Sequence, residues 1–457
     1  MHINKSRLSL FLIAFSWFIP SLSMAQDLDP DLKALIRKGL EVSHTVNIND
    51  FDVAQTKVDQ KLAKSVFLPK VTFNGSFTRL DDDISFDDDT QNLLIATQKL
   101  LIKEAAGIPF NEAFPANIPL TEIPNLQDKN ILKSNVDLDW VLFSGLEASN
   151  ALKASKHKEA SLTYVGMAEK DKIALKIIEA YDKLALVYAT KQVLSISEKY
   201  LNEQEFYVKK AIENGLATPI SRKKIELAQQ QLIAKQLDFD HNKTLLIEVL
   251  HQLTKENKEH LSLLEPQLRS FTIDASLSAD KRSEIKALEE AEKAALYKSK
   301  MEKSNFIPKL ALKGHYEFIE DDLSLLDPKW YIGAGIKWNV FDGNQSRLKS
   351  KKSKIESQKY RERLEEAKEM VSLSITKAKL AYESSLQYTN IVQKEIELAS
   401  DTYDMINKQY KNELASINDV LDALNDLEKA NFKLQESFFN ERRAVTAMLH
   451  AKGMLNY

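Results

Sequence analysis

The chain has 457 residues, with 63 basic and 66 acidic side chains and a formal charge of −3, so its balance points to no nucleic-acid partner. It has no cysteine, which excludes disulfides, thiolate metal sites, cysteine nucleophiles and a lipid-modified cysteine. Glycine and proline, 11 of each, are sparse, as suits long uninterrupted helices rather than a loop-rich fold.

Residues 1–25 read as a signal peptide. Lys5 and Arg7 precede the apolar run Leu8 to Ile19, Pro20 breaks it, and Ser23-Met24-Ala25 supplies small residues for cleavage after Ala25. The run is short for a membrane anchor, and no later segment has about 18 consecutive apolar residues. An exported chain of this kind is periplasmic, secreted, or in an outer membrane as a β-barrel.

The rest divides into two copies of one pattern, 26–255 and 256–457. In the first, Phe67-Leu-Pro-Lys70 ends a helix and opens a strand at about 70–80, because a residue before proline is pushed out of the helical region. An insertion at about 81–130 follows. It is acidic at first (Asp81 to Asp83, Asp87 to Asp89), then carries Pro109, Pro115, Pro119 and Pro124, and lacks the spacing of a calcium loop. It reads as a solvated loop or a cap. A second strand at about 133–143 ends in Trp140-Val-Leu-Phe-Ser-Gly145, where glycine permits the turn into a helix. Between Glu147 and Gly215 there is no proline and one glycine, Gly166, so this helix is on the order of 100 Å long. A turn at Gly215-Leu-Ala-Thr-Pro-Ile-Ser221 leads into a returning helix.

The second copy repeats this order. Trp338-Asn-Val-Phe-Asp-Gly343 follows the first such stretch by 198 residues, and Asn412, Leu414 and Ala415 follow Asn214, Leu216 and Ala217 by the same interval. Phe306-Ile-Pro-Lys309 lies 239 residues after its counterpart, so the first copy holds 41 more residues between its strands. Strands are predicted at about 309–319 and 330–341.

Each strand alternates. Val136, Leu138, Trp140 and Leu142 oppose Asp137 and Asp139; Ile332, Ala334, Ile336, Trp338 and Val340 oppose Lys337 and Asn339. A lipid-facing barrel strand alternates so, and so does a half-buried soluble strand. In the helices, Ile173, Ile177, Ala180, Leu184, Val187, Leu194 and Leu201, and later Val371, Ile375, Ala378, Tyr382, Val392, Ile396, Ala399, Tyr403, Ile406 and Tyr410, keep a spacing near 3.5, the mark of coiled-coil packing. Four strands cannot close a barrel, since about eight is the minimum, and an open edge in lipid costs several kcal/mol per unpaired group. Strands in a membrane therefore demand more than one protomer.

The ordered duplicate resembles the TolC-type outer-membrane efflux proteins over nearly all of the mature chain. The resemblance implies a mainly α fold with β: long antiparallel coiled-coil helices forming a periplasmic α-barrel, and four strands per protomer contributing to a trimeric twelve-stranded transmembrane β-barrel. It implies a cell outer-membrane location in a Gram-negative envelope, with a large periplasmic portion. The partners implied are two further copies in a homotrimer, a periplasmic adaptor, an inner-membrane pump and outer-membrane lipid; no nucleic acid and no cofactor are expected. Trp140 and Trp338 would sit at an interface belt of the barrel. Leu414-Ala-Ser-Ile-Asn-Asp-Val-Leu-Asp-Ala423 resembles the family's periplasmic entrance, which makes Asp419, Asp422 and Tyr410 gate candidates. The i, i+3 spacing of the aspartates puts both on one face. Three copies would form rings of six carboxylates that favour cations, and crowding would raise the titration of some. A plain solvated face is the alternative for the aspartates, and coiled-coil packing for Tyr410. Leu216, Ala217, Leu414 and Ala415 mark the adaptor-docking turns. Ala415 and Glu413 replace a family arginine and glycine, so closure here must use other contacts.

No nucleophile elbow, P-loop or HExxH occurs, and His157, His241, His251 and His260 have no metal-site spacing, so no enzyme is expected. The expected role is the passive outer-membrane channel of a tripartite efflux or type I secretion system. The alternative is a periplasmic coiled-coil scaffold or tether without channel activity.

Overall fold

The computed structural model describes residues 29–268, 282–320, 328–455 and 457. The expected signal peptide, with Ala25, lies outside the described residues. In chain order the elements are α1 (Pro30–Val42), α2 (His44–Ser65), β1 (Lys70–Arg79), α3 (Asp88–Ala105), β2 (Asn130–Phe143), α4 (Glu147–Glu213), α5 (Pro219–Thr254), α6 (Lys258–Leu263), α7 (Ser283–Lys303), β3 (Lys309–Glu320), β4 (Trp330–Lys337), α8 (Gln345–Lys411) and α9 (Ile417–Ala451). They fall into two compact units. A sheet-bearing unit holds 47–168 and 283–370, and a helical unit holds the described parts of 1–46, 169–282 and 371–457.

The duplication sets the element boundaries. α4 and α8 have 67 residues each. They start 198 residues apart, and so do α5 and α9. Before each long helix the chain takes two successive left-handed residues, Gly145 and Leu146 (φ 64° and 67°), then Gly343 and Asn344 (φ 66° and 65°). That reversal ends extended backbone and starts helix within one step.

In the sheet-bearing unit the four strands form one antiparallel sheet in the order β1-β2-β3-β4. Lys70 faces Asp139 and Arg79 faces Asn130 across the first pair. Lys309 faces Lys337 and Tyr316 faces Trp330 across the last. The β2–β3 register shifts at Ser134/Asn135 and Val141/Phe143. Among the described residues β1 and β4 are free edges. The apolar face is uncovered: Phe73 is 68% exposed and Ile332 78%, with Val71, Phe77 and Ile336 similarly bare. The opposite face carries hydrogen-bonded polar rows. Asn74 Nδ2 donates to Asn135 Oδ1 and Asp137 Oδ2, both at 2.8 Å, and Asp137 lies 2.7 Å from His315 Nδ1.

Two details depart from the sequence reading. β4 stops at Lys337, so Trp338 and Val340 lie beyond the strand. The acidic insertion is not only loop: it contains α3, 18 residues long, capped by Asp87, whose side chain accepts from Thr90 N.

In the helical unit the heptad spacing becomes a core. Leu194, Leu201 and Val208 of α4 pack with Ile225, Leu232 and Phe239 of α5, each at intervals of seven, and with Val420 and Leu427 of α9. A second cluster joins Leu32 and Ile36 of α1 to Ile177 and Leu184 of α4 and Leu250 of α5. A buried ion pair crosses the helices. Arg442 of α9 donates through Nε (2.9 Å) and Nη2 (2.6 Å) to Asp182 of α4. Burial raises the Asp182 carboxyl above its ordinary range, against the pull of the guanidinium.

Candidate functional site

The candidate residues lie in three places: two turns in the helical unit, and the ends of the strands in the sheet-bearing unit.

The two turns share one backbone. After α4, Leu216 N donates to Ala211 O (2.8 Å) and Gly215 N to Ile212 O (3.0 Å). After α8, Leu414 N donates to Gln409 O (2.8 Å) and Glu413 N to Tyr410 O (3.0 Å). Both are Schellman closures, with the left-handed residue at Gly215 (φ 72°) and at Glu413 (φ 63°). Such a closure commonly buries the apolar residue that follows it against the helix. Here Leu216 and Leu414 are 61% and 78% exposed, while Ala217 and Ala415 are half-buried. Ile220 is exposed beside Leu216. Lys224 Nζ donates to Asn418 Oδ1 at 2.6 Å, tying α5 to α9 near the turns.

Past the second turn, Val420, Ala423, Leu424 and Leu427 bury one face of α9, and Asp419, Asp422 and Asp426 share the exposed face. Asp426 extends the acidic face by one turn, although Lys429 Nζ stands 3.6 Å from it. Asp419 has a local role that the sequence reading missed. It closes a capping box with Ser416: its carboxylate accepts from Ser416 N and Oγ, both at 2.8 Å, while Asp419 N donates to Ser416 Oγ. The Ser416 backbone bond holds the Asp419 carboxyl below its usual range, opposite to the rise expected from crowding alone.

Tyr410 is half-buried against the α4–α5–α9 core, and its hydroxyl has no hydrogen-bond partner among the described residues. Burial raises its pKa. One and two turns earlier the bonding is better. Gln204 of α4, fully buried, donates from Nε2 to Tyr403 Oη (3.2 Å) and Asn407 Oδ1 (3.1 Å) of α8. Burial pushes the Tyr403 phenol up to about 12. This cross-brace was not legible as a pair, since Tyr403 reads as one more coiled-coil position.

At the strand ends the two tryptophans do matching work. Trp140 Nε1 donates to Phe67 O (2.9 Å), and Trp338 Nε1 donates to Phe306 O (3.0 Å). Each indole therefore satisfies the carbonyl that opens the FxPK segment of its own copy. Both rings stay substantially exposed.

Comparisons with known proteins bear on the fold. Residues 275–437 match the family described as outer membrane efflux protein. A search of curated protein sequences returns no match. Among solved structures, the outer membrane protein VceC of Vibrio cholerae superposes with a TM-score of 0.72 at 16% identity, covering 93% of this chain and 96% of its own. The CmeC outer membrane channel of Campylobacter jejuni gives 0.71 at 16% identity, covering 99% and 94%. The open-state MtrE outer membrane channel of Neisseria gonorrhoeae gives 0.66 at 14% identity, covering 93% and 89%. The chain has the fold of the TolC-type outer-membrane channels, and its second copy carries the outer membrane efflux protein signature. The structures it superposes on are outer-membrane proteins and channels, and at 14–16% identity the likeness is one of fold.

Proposed function

We propose that the chain is the passive outer-membrane conduit of a tripartite efflux or type I secretion system, working as a homotrimer. The observation that carries this is the sheet. Among the described residues it has one bare apolar face, two free edges and four strands. Water disfavours such a face, and lipid disfavours such edges at several kcal/mol per unpaired group. Three copies edge to edge would satisfy both in a twelve-stranded barrel with the polar rows of Asn74, Asp137 and His315 toward its lumen.

In this reading residues 1–25 are cleaved after Ala25, the 81–130 insertion lies outside the cell, and Trp140 and Trp338 lie at an interface belt. The exposed leucines of the two turns, Leu216 and Leu414, with Ala217 and Ala415, dock a periplasmic adaptor. Asp419 and Asp422 line the entrance and favour cations, with Tyr410 packed behind them. The entrance opens when adaptor binding favours the open state, and the inner-membrane pump supplies both energy and specificity.

Mass measurement in detergent tests this reading. A trimer that needs detergent supports it. A chain that fractionates as a soluble protein, or a stable monomer in detergent, overturns it.

A further inference from the structure

The sheet has two rims. At one, every strand meets a helical segment: β1 follows α2, β2 leads to α4, β3 follows α7 and β4 leads to α8. At the other lies the long β1–β2 connection.

That connection is folded. Leu80 N donates to Lys129 O (2.8 Å), Leu126 N to Ile84 O (2.7 Å) and Lys129 N to Asp83 Oδ1 (2.7 Å), which pins its two arms together. One face of α3 is held down. Gln98 Nε2 donates to Thr121 O (3.1 Å), and the buried Lys103 donates to the carbonyls of Phe110 and Glu112. The other face is bare and carries the leucines: Leu93 is 66% exposed and Leu101 62%, with Leu94, the exposed Thr97 and Leu100 between them, Glu104 exposed at the far end and Phe110 also exposed. The spacing 93, 94, 100, 101 is one helical stripe. An ordered helix with an uncovered leucine stripe needs a partner surface.

We propose that this partner is the same helix in the neighbouring copies, so that three α3 helices meet by their leucine faces and cap the barrel mouth. The proposal rests on the trimeric reading above, and three observations favour it. The free edges of β1 and β4 would bring copies side by side with their β1–β2 connections at one rim. The reach is sufficient: α3 is about 27 Å long at its 18 residues, and a mouth of twelve tilted strands is about 24 Å across. Charge argues against the other candidate, an anionic lipid surface. Residues 81–129 hold ten acidic and three basic side chains, six of the acids at or before the first turn of α3. Packing by the leucines leaves those aspartates in water.

The cysteine-free chain permits a direct test. Leu100→Cys should crosslink between copies under mild oxidation in intact outer membranes. Asn92→Cys, on the far side of α3, should not. Leu93→Ser, Leu100→Ser and Leu101→Ser together should raise single-channel conductance in a planar bilayer several-fold while leaving the trimer mass unchanged. A trimer in which Leu100→Cys crosslinks no better than Asn92→Cys overturns the cap alone. So does quenching of a fluorophore at Leu100→Cys by lipid-borne quenchers, which would place the stripe on the membrane. A monomer in detergent overturns the channel reading and the cap with it.

Discussion

The turn from α4 to α5 and the turn from α8 to α9 follow one backbone course with different side chains. The first uses Gly215 at its left-handed position and enters α5 through Pro219, with Thr218 making no side-chain cap bond. The second puts Glu413 in the same left-handed position and enters α9 through the Ser416–Asp419 capping box. Local strain in one turn is thus offset by a better cap three residues on. Duplication preserved the geometry, while the chemistry that holds it diverged. The same contrast appears at the strand-to-helix turns. Gly145 is crowded by Ile307 and Ser304, whereas its counterpart Gly343 stands in open space.

The largest break should come there. A Cβ at Gly145 would lie 2.8 Å from Ile307 O and 3.2 Å from Ser304 O, on a left-handed residue. Gly145→Ala should cost about 3 kcal/mol, from the left-handed penalty and the overlap together. Gly343→Ala meets nothing within 4 Å and should cost about 1 kcal/mol, the backbone penalty alone. Thermal unfolding of the two variants in detergent checks the asymmetry; equal losses would mean the Ile307 approach relaxes freely.

Exchanging the residues at the left-handed turn positions should move stability in opposite senses. Glu413→Gly relieves a left-handed non-glycine residue and should stabilise by about 1 kcal/mol, less the extra freedom glycine gives the unfolded chain. Gly215→Glu should cost a similar amount. Denaturant midpoints at constant slope are the measurement.

The caps should separate the turns as well. Ser416→Ala removes a side chain that accepts from Asp419 N and should cost about 1 kcal/mol. Thr218→Ala removes a side chain that makes no cap bond, and should change stability by no more than a few tenths of a kcal/mol. Hydrogen exchange of the first-turn amides of α9 and α5 reports each cap locally.

These contrasts also show how much was legible. Duplication, strand alternation and heptads are periodic features, so the sheet, the long helices and the core positions Leu194, Leu201 and Tyr403 could be read from residue spacing. Three things are not evident from such spacing. The Leu93-Leu94 and Leu100-Leu101 stripe is a helical pattern, but the aspartates and prolines around it suggested loop. Ser416-Ile-Asn-Asp419 is a capping-box sequence, but the likeness of its aspartate to a family entrance position points to a gate or a solvated face before it points to a cap. The bonds from Trp140 to Phe67 and from Trp338 to Phe306 bridge 73 and 32 residues, and no local period encodes them. Their difference equals the 41-residue insertion, so the paired recurrence of FxPK and WxxFxG was the available clue.

The smallest effect is a dependence on pH that only one turn should have. Asp419 is held below the ordinary carboxylate range by the Ser416 hydrogen bonds, so the folded state binds its proton more weakly than the unfolded chain does. The cap's contribution is then fully present above the unfolded value of about 4, and it is lost as pH falls through the lower folded value. Amide protection at the start of α9, normalised to intrinsic exchange, should fall as the solution is acidified from pH 5 toward pH 3. Protection at the start of α5, which has no acidic first-turn residue, should stay level over that range. Asp422 lies one turn further along the same exposed face and makes no part of the cap, so Asp422→Asn should leave the acid transition of α9 in place while Asp419→Asn removes it. If both substitutions weaken cation selectivity in a bilayer and only the second alters the transition, Asp419 serves the entrance and the fold at once. If Asp419→Asn alters the transition and neither changes selectivity, the pair is a cap and a solvated face, and the entrance is lined by other residues.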